Sequence, residues 1–268
     1  MARDSERRKR IGQALRQENL DAVVCTLPAN VLLLSGYWPV VGTSLALATR
    51  DERVIVLAPR DELELARQGW AEEVHPFEPG SLQEIRTATE AVIDPLHQVA
   101  QSLVRKSSRI GYEGGPEYEP ATYAGMHRYG PSIVGILKRA FPSSTLLEAD
   151  DVLALLRAVK VPWEIDRIRT ACRMAGRAFY TGAGQLRPGL KETEVAALFQ
   201  APLSTGVTEE DEVQRAGGFV FCMSGPNSAQ AYGAYARSRS RQTTRGDLVL
   251  VHCNSYADGY WTDITRTF

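Results

Sequence analysis

The sequence lacks the patterns that mark several large protein classes. Its four cysteines lie far apart with no paired spacing, and its four histidines form no metal-binding motif. This argues against a zinc finger and a disulfide scaffold, and favours reduced, mostly buried thiols in a cytoplasmic protein. The formal net charge is −1 over 268 residues. No strong electrostatic field therefore favours nucleic acid or an anionic membrane as a partner.

Long apolar runs are also absent. Proline, asparagine and glycine interrupt the longest uncharged stretch, residues 22–49, so no run of about 18 apolar residues remains to span a membrane. The basic residues 7–10 are mixed with Asp4 and Glu6, and no apolar core of a secretion signal follows. We therefore interpret the basic run as a solvated helix face in a protein that is neither membrane-bound nor secreted.

What is present is typical of a soluble globular protein, with 44% hydrophobic and 24% charged residues. In the first half, helical and strand patterns alternate, which predicts an α/β domain over residues 1–150. The predicted helices span 5–18, 81–104 and 133–140, with a short one inside the stretch 22–49. The predicted strands span 21–25, 45–48, 54–57, 109–113 and 144–148.

The second half, residues 151–268, is predicted to be a separate α+β domain. A short helix over 151–159 is followed by Pro162 at the first position of a long helix, where its missing N–H is tolerated. A helix over 192–200 precedes a strand over 217–223. Acidic residues on these helices, Glu164, Asp166 and Glu192, are predicted to be solvated. The acidic run 209–212 is interpreted as a mobile loop.

The chain ends in a predicted β-hairpin, residues 248–268, with Asp258-Gly259 as its turn. Side chains two residues apart share a face of a strand. His252 and Asn254 therefore point the same way, and Asn254 or His252 lies opposite Asp263, depending on where the turn is centred. Either register places His, Asn, Asp and Thr side chains on one wall of the sheet.

The sequence Asp258-Gly-Tyr-Trp-Thr-Asp-Ile-Thr-Arg-Thr-Phe268 resembles the metal-site hairpin of the creatinase and Xaa-Pro aminopeptidase family. Ser224-Gly225-Pro226-Asn227 matches the loop that precedes it, and Lys160-Val-Pro-Trp-Glu-Ile165 resembles the first helix of that catalytic domain. Leu20-Asp21-Ala-Val-Val24 is similar to the family's N-terminal domain. The resemblance implies a creatinase-like N-terminal α/β domain followed by the first half of a pita-bread domain.

The resemblance also implies a divalent metal cofactor, two manganese, cobalt or zinc ions held by two Asp, one His and two Glu. Asp263 matches the second Asp, and His252 occupies the position of the first. Tyr232 stands where the family places a catalytic His. Asn227 and Tyr235 are candidate substrate-binding residues, and a homodimer is implied by the same resemblance. Tyrosine, with an ordinary pKa near 10, is a poor proton shuttle at neutral pH.

These substitutions leave three functions open. The first is a metal-dependent aminopeptidase or dipeptidase acting on Xaa-Pro peptides through a dinuclear site. The second is a catalytically impaired or non-catalytic relative that binds peptide or protein. The third is a creatinase-like, metal-free C–N hydrolase of a small molecule, which Tyr232 disfavours. The strand pattern still runs at Phe268, and further ligands are expected beyond it. The sequence is therefore either a fragment or a naturally shortened protein, and we favour a fragment because a bare edge strand promotes aggregation.

Overall fold

The computed structural model describes residues 4–40, 44–103, 108–114, 133–208, 211–230 and 237–268. The chain forms two compact units, Met1–Val161 and Pro162–Phe268. The predicted mixed α/β class is confirmed. The division into domains at residue 150 stays a prediction, since compactness alone does not define a domain.

A six-stranded mixed sheet with the order β4-β3-β2-β1-β5-β6 organises the first unit. Its central strands β1, β2 and β3 are buried along their whole length, which explains their continuous apolar sequences. Separate apolar cores lie on the two faces of the sheet. The strands are β1 (Ala22–Cys25), β2 (Leu45–Thr49), β3 (Val54–Pro59), β4 (Glu73–Phe77), β5 (Arg109–Tyr112) and β6 (Thr145–Glu148). The helices are α1 (Ser5–Gln17), α2 (Pro28–Ser35), α3 (Leu63–Ala66), α4 (Ala88–Leu103), α5 (Ile133–Ala140) and α6 (Asp150–Ala158).

The predicted start of helix α4 at residue 81 is wrong, because the helix begins at Ala88. Thr87 and Glu90 form a reciprocal capping arrangement. The Thr87 hydroxyl accepts from the Glu90 N–H at 3.2 Å, and a Glu90 carboxylate oxygen accepts from the Thr87 N–H at 2.9 Å. The Thr-x-x-Glu pattern that would have located this start is visible in the sequence.

The interpretation of the basic run as a solvated helix face is wrong for Arg7. Its side chain is fully buried, and its guanidinium donates to the carbonyl oxygens of Leu156 and Val159 at 2.6 and 3.2 Å. These carbonyls lie at the C-terminal end of α6, where backbone oxygens have no helical partner and a cation is favoured.

The backbone just before helix α2 donates hydrogen bonds to a buried carboxylate that lies far away in the sequence. Glu113 Oε1 accepts from the Thr26 N–H, the Thr26 hydroxyl and the Leu27 N–H at 2.6–2.8 Å. Glu113 Oε2 accepts from Asn30 Nδ2 at 2.7 Å. The Asn30 carbonyl oxygen in turn accepts from Arg157. Both ends of the Asn30 amide are therefore bonded to protein groups.

The second unit is a three-stranded antiparallel sheet covered on one face by two helices. The strands β7 (Ala216–Ser224), β8 (Val249–Ala257) and β9 (Tyr260–Thr267) lie in that order. The helices are α7 (Pro162–Ala183) and α8 (Glu192–Thr205). The core between helices and sheet contains Phe199, Val220 and Val251. No helix among the described residues is both long and apolar enough to cross a membrane.

Candidate functional site

The hairpin turn fixes which side chains share a face of the sheet. Asp258 and Gly259 have φ angles of 48° and 86°, as a tight turn of this type requires. Asn254 consequently lies opposite Asp263, the first of the two predicted registers. The Asp258 carboxylate also accepts from the backbone N–H groups of Gln214 and Arg215, both at 2.9 Å, and so holds the turn in place.

The two faces of this sheet have opposite character. Val251, Cys253 and Ser255 of β8 are buried. The side chains of Val251 and Cys253 pack into the core beneath α7 and α8. His252 alternates with them, and its Nδ1 lies 3.4 Å from Asp263 Oδ1 on the neighbouring strand. The predicted polar wall is therefore a single surface, which we call the open face.

Aromatic rings occupy much of the open face beside these polar groups. Trp261 packs on Tyr256 with 4.6 Å between ring centroids and on Phe219 with 5.8 Å. Phe221 stacks on His252 at 6.3 Å. Gly217 makes room for Tyr256, since a Cβ there would lie 2.8 Å from the phenol oxygen. The open face thus joins a polar patch to an aromatic surface of the kind that contacts apolar side chains.

Both ring nitrogens of His252 are occupied by neighbours on the open face. Asn254 Nδ2 lies 2.9 Å from His252 Nε2, and Thr265 Oγ1 lies 3.0 Å from Nδ1. With an amide N–H directed at it, Nε2 is the acceptor, and Nδ1 then carries the proton. A metal ion could bind Nε2 only by displacing Asn254.

The described residues do not fit a dinuclear metal centre. Of the expected ligand set they bring together only His252 and Asp263, and they contain no group of three or more His, Cys, Asp or Glu side chains suited to one ion. Two hard cations close together need bridging carboxylates, which one Asp and one His do not supply.

Asn227, Tyr232 and Tyr235 are also predicted site residues. Tyr232 and Tyr235 fall outside the described residues. Asn227 lies in a 3-10 turn, Gly225–Gln230, which follows β7. Its Nδ2 donates to Glu192 Oε1 at 2.8 Å, so its amide is turned towards a carboxylate.

Glu192 is the centre of a buried polar cluster that the sequence reasoning missed. Its side chain is fully buried at the start of α8. Oε1 accepts from the Ser224 N–H and hydroxyl at 2.7 and 2.9 Å as well as from Asn227. Oε2 accepts from the Arg239 N–H at 2.9 Å. The carboxylate therefore joins the end of β7, the following turn and the segment that begins at residue 237.

An ion pair supports this cluster from outside. Arg241 Nη1 donates to the Ser224 hydroxyl at 2.8 Å, and the guanidinium makes two bonds to Asp247 at 2.7 and 3.0 Å. The hydrogen bond from Arg241, together with the Thr244 N–H, lowers the pKa of Asp247 to about 2. At Gly225, φ is +50° and a Cβ would lie 2.5 Å from an Asp247 oxygen. Glycine is therefore required for the turn to pass this ion pair.

The prediction that the helical acidic residues are solvated is wrong for Glu164 and Glu192, which are 3% and 0% exposed. Glu164 accepts from the Tyr260 hydroxyl at 3.2 Å. Asp211, in the acidic run, is also buried and pairs with Arg177 at 2.6 Å. The sequence feature that could have suggested a structural role for Glu164 and Glu192 is their position in the first turn of a helix, where carboxylates are favoured. The partners were far away in sequence.

Two matches to known families divide the chain between them. Residues 7–159 match the Creatinase/Prolidase N-terminal domain, and residues 166–268 match metallopeptidase family M24. An Xaa-Pro dipeptidase of Pyrococcus furiosus is 24% identical over 262 residues, which cover 98% of this chain and 64% of the relative. The chain thus spans less than two thirds of the length of that curated relative.

Solved structures show the same fold. The prolidase of Pyrococcus horikoshii OT3 superposes with a TM-score of 0.69 at 23% identity, covering 98% of this chain and 65% of that one. An X-Pro aminopeptidase of Thermotoga maritima MSB8 gives a TM-score of 0.70 at 22% identity, covering 97% and 64%. At this identity the likeness supports the fold, and function has to be argued from the site.

Proposed function

Because the chain belongs to the creatinase and Xaa-Pro peptidase family of pita-bread proteins, we propose that it acts on short peptides of the Xaa-Pro type. The open face of the second sheet is the proposed substrate surface. The observation that carries the proposal is the placement of Asp263 beside His252, with Nδ1 and Oδ1 3.4 Å apart on adjacent strands. Antiparallel strands hold such a pair more rigidly than loops do.

The chemistry of the open face suits a peptide. The Asp263 side chain is 63% exposed, so its carboxylate can receive a cation or an N–H group without a large desolvation cost. The aromatic surface around Trp261 offers flat apolar contacts to a proline ring or an apolar side chain. Peptides are named as substrates for the relatives, a dipeptidase and an aminopeptidase, and this supports the proposal.

The proposal has a direct test. The protein is incubated with Ala-Pro, with and without added Mn²⁺, Co²⁺ or Zn²⁺, and the release of free proline is measured. We expect release by the wild type and its loss in Asp263→Ala, with no loss in the exposed control Asp51→Ala. Equal release by Asp263→Ala and the wild type would exclude the open face as the site of hydrolysis.

A second candidate, a non-catalytic peptide-binding relative, is favoured by the bonding of His252. Asn254 and Thr265 occupy both of its ring nitrogens, so a metal ion would have to displace one of them to bind there. We expect His252→Asp to raise the metal content of the purified protein, measured by elemental analysis. Negligible metal in both forms would count against any ligating role for position 252.

A comparison of Ala-Pro binding with proline release distinguishes the catalytic candidate from the non-catalytic one. Proline release that disappears in Asp263→Ala rules out the non-catalytic alternative. Binding of Ala-Pro without any release, under every metal condition, supports it. A homodimer and a cytoplasmic location remain predictions. Sedimentation and cell fractionation measure them.

A further inference from the structure

The two edges of the sheet in the second unit differ in how their backbone groups are satisfied. Strand β7 forms one edge and strand β9 the other. Along β7, backbone N–H groups that point away from β8 donate to side chains at 3.2, 2.8 and 2.7 Å: Val220 to Gln200, Cys222 to Ser238 and Ser224 to Glu192. Side chains thus cover this edge, one of the ways in which proteins protect a sheet from further pairing.

Strand β9 has no such cover among the described residues. Val249 and Phe268 exchange both backbone hydrogen bonds, at 2.9 Å each, which fixes the alternation along the hairpin. The outward-facing backbone groups of β9 therefore belong to its odd-numbered residues, Trp261, Asp263, Thr265 and Thr267. No described group accepts from these four N–H groups. Of their carbonyl oxygens, only that of Thr265 has a donor within the described part of the chain, Arg266 Nη1 at 2.7 Å.

The outward-facing residues of β9 are also the ones whose side chains lie on the open face. Ile264 packs into the core beneath the helices, so its neighbours Asp263 and Thr265 point the opposite way. A strand added to this edge would consequently place every second side chain on the open face, beside Asp263 and Trp261.

We infer that β9 binds an extended peptide as a fourth, antiparallel strand, with a basic residue opposite Asp263, then proline, then an apolar residue opposite Trp261. This rests on the proposed function and adds to it a binding mode and a sequence preference. An antiparallel strand exchanges both backbone hydrogen bonds with each outward-facing residue. Addition of a peptide to a free sheet edge is a recurring mode of recognition, in which alternate side chains give specificity.

Proline fits only certain positions of such a strand. A peptide residue opposite an outward-facing residue of β9 needs its own N–H for the pairing, whereas the N–H of the next residue points to solvent. Proline has no N–H and is tolerated on an edge strand at the solvent-directed position. The proline therefore lies opposite Thr262, which is half-buried beside the exposed Cys172. Proline also favours an extended conformation in the residue before it, the one opposite Asp263.

The side chains of the open face select the neighbours of this proline. Residues directly opposite each other in antiparallel strands have Cβ atoms about 5 Å apart. The Asp263 side chain is 63% exposed, so a lysine opposite it can form an ion pair. A leucine opposite Trp261 lies against the aromatic surface that this ring shares with Tyr256 and Phe219.

A second copy of this chain is the other candidate occupant of the edge, and charge disfavours it. Two β9 strands paired about a two-fold axis bring two Asp263 carboxylates onto the same face, where like charges on neighbouring strands repel. Arg266 does not compensate, because its guanidinium lies over the Phe179 ring of α7, on the helix-covered side. A peptide with a basic residue at this position has no such conflict.

N-methylated peptides test the register. The probe is acetyl-Thr-Val-Lys-Pro-Leu-Val-amide, whose Lys and Leu are placed opposite Asp263 and Trp261, and its binding is measured by calorimetry. We expect N-methylation of the Lys or the Leu to weaken binding at least about tenfold, because it removes a backbone hydrogen bond and obstructs the edge. N-methylation of the last Val, whose N–H points to solvent, should change binding little. Equal effects at the three positions would overturn the inference.

Thr265→Pro and Thr265→Val are a matched pair of protein variants. Both remove the hydroxyl that lies beside His252, but only proline removes the outward N–H, at an edge position where proline is tolerated. We expect the probe to bind Thr265→Pro about fivefold or more weakly than Thr265→Val. Equal binding by the two variants would contradict the pairing.

The charge preference is tested by replacing the Lys of the probe with norleucine. We expect the wild type to prefer Lys by about twofold to fivefold, the scale of a cross-strand ion pair, and Asp263→Asn to lose that preference. Equal affinity of the wild type for the two peptides would overturn the assignment of a basic residue.

Hydrogen exchange shows whether the edge is open before a ligand is added. The amide protons of Asp263 and Thr265 should exchange rapidly in the free protein and slowly with the probe, whereas those of Thr262 and Ile264 should be protected throughout. Protection of Asp263 and Thr265 without the probe would overturn the inference and, together with a dimer in sedimentation, would assign the edge to a second copy. Alternating sensitivity to N-methylation without proline release from Ala-Pro would defeat the proposed hydrolysis alone. Proline release without that alternation would defeat this inference alone.

Discussion

Glu113 in the first unit and Glu192 in the second solve the same physical problem in nearly the same way. Each is a buried carboxylate that accepts from the backbone N–H and the hydroxyl of one Thr or Ser, and from an Asn amide shortly after it. A buried charge is tolerated only when its hydrogen bonds are satisfied. The difference lies in the far end of the Asn amide, which Arg157 occupies at Asn30 and no described residue occupies at Asn227.

This comparison indicates that a similar bonding pattern is completed by an arginine in the first unit and by no described donor in the second. Four predictions test it, from the largest expected effect to the smallest.

Glu113→Ala should have the largest effect. It leaves the Thr26 and Leu27 N–H groups at the start of α2 without their acceptor, and unsatisfied buried donors are costly. We expect a loss of about 3 kcal/mol or more in the free energy of unfolding, measured with urea. Glu64→Ala, at an exposed position, is the control and should change it little. A loss as small as that of the control would show that Glu113 does not hold α2.

Asn30→Ala and Asn227→Ala sharpen the contrast between the two amides. Asn30→Ala breaks bonds to Glu113 and Arg157, so we expect a loss of about 2 kcal/mol, against about 1 kcal/mol for Asn227→Ala, which breaks one bond. Urea unfolding of both variants measures the difference. Equal losses would mean that the Asn227 carbonyl oxygen also has a structural partner.

Low pH should weaken the cluster around Glu192, because protonation of Asp247 removes its ion pair with Arg241. The pKa of Asp247 is held at about 2, below its ordinary value of 3.8, chiefly by Arg241. A lowered carboxyl pKa contributes stability that is present above the ordinary value and is lost as the pH falls towards 2. Asp247→Asn should therefore flatten the dependence of stability on pH between about 4 and 2. An unchanged slope would show that the ion pair contributes nothing to folding.

The smallest effect concerns thiol chemistry and leaves the fold unaltered. Burial, together with the charge of Glu192, raises the pKa of Cys222 to about 12, and burial raises that of Cys253 to about 12. Cys172 is exposed, and Cys25 is buried. In the native protein at pH 8, a disulfide reagent should modify Cys172 alone. Rapid modification of Cys222 would show that the region beside Glu192 opens readily.

Local patterns predicted the elements well, and long-range polar contacts stayed hidden. The Asp258-Gly259 pair limited the predicted hairpin register to two pairings, and the structure has the one that places Asn254 opposite Asp263. The start of α4 was missed although its capping residues are adjacent in sequence. Strand β4 was missed because, apart from Phe77, its side chains are not fully buried and give no apolar pattern.

The candidate site was predictable only in part. The shared face of His252 and Asp263 follows from the two-residue period of a strand. The burial of Glu192 does not, because its partners lie 32–47 residues away in the chain. Nothing in a single helical turn distinguishes a carboxylate that faces water from one that faces such partners.

The pinned hairpin turn constrains how this protein can change during evolution. Asp258 is bonded to Gln214 and Arg215, so the tip cannot slide to absorb an added or deleted residue in β8. A single insertion between Val249 and Ala257 would exchange the two faces, burying the imidazole of His252 and exposing Cys253 to solvent. Insertions and deletions are thus expected to accumulate in the connecting segments, while the hairpin changes by substitution alone.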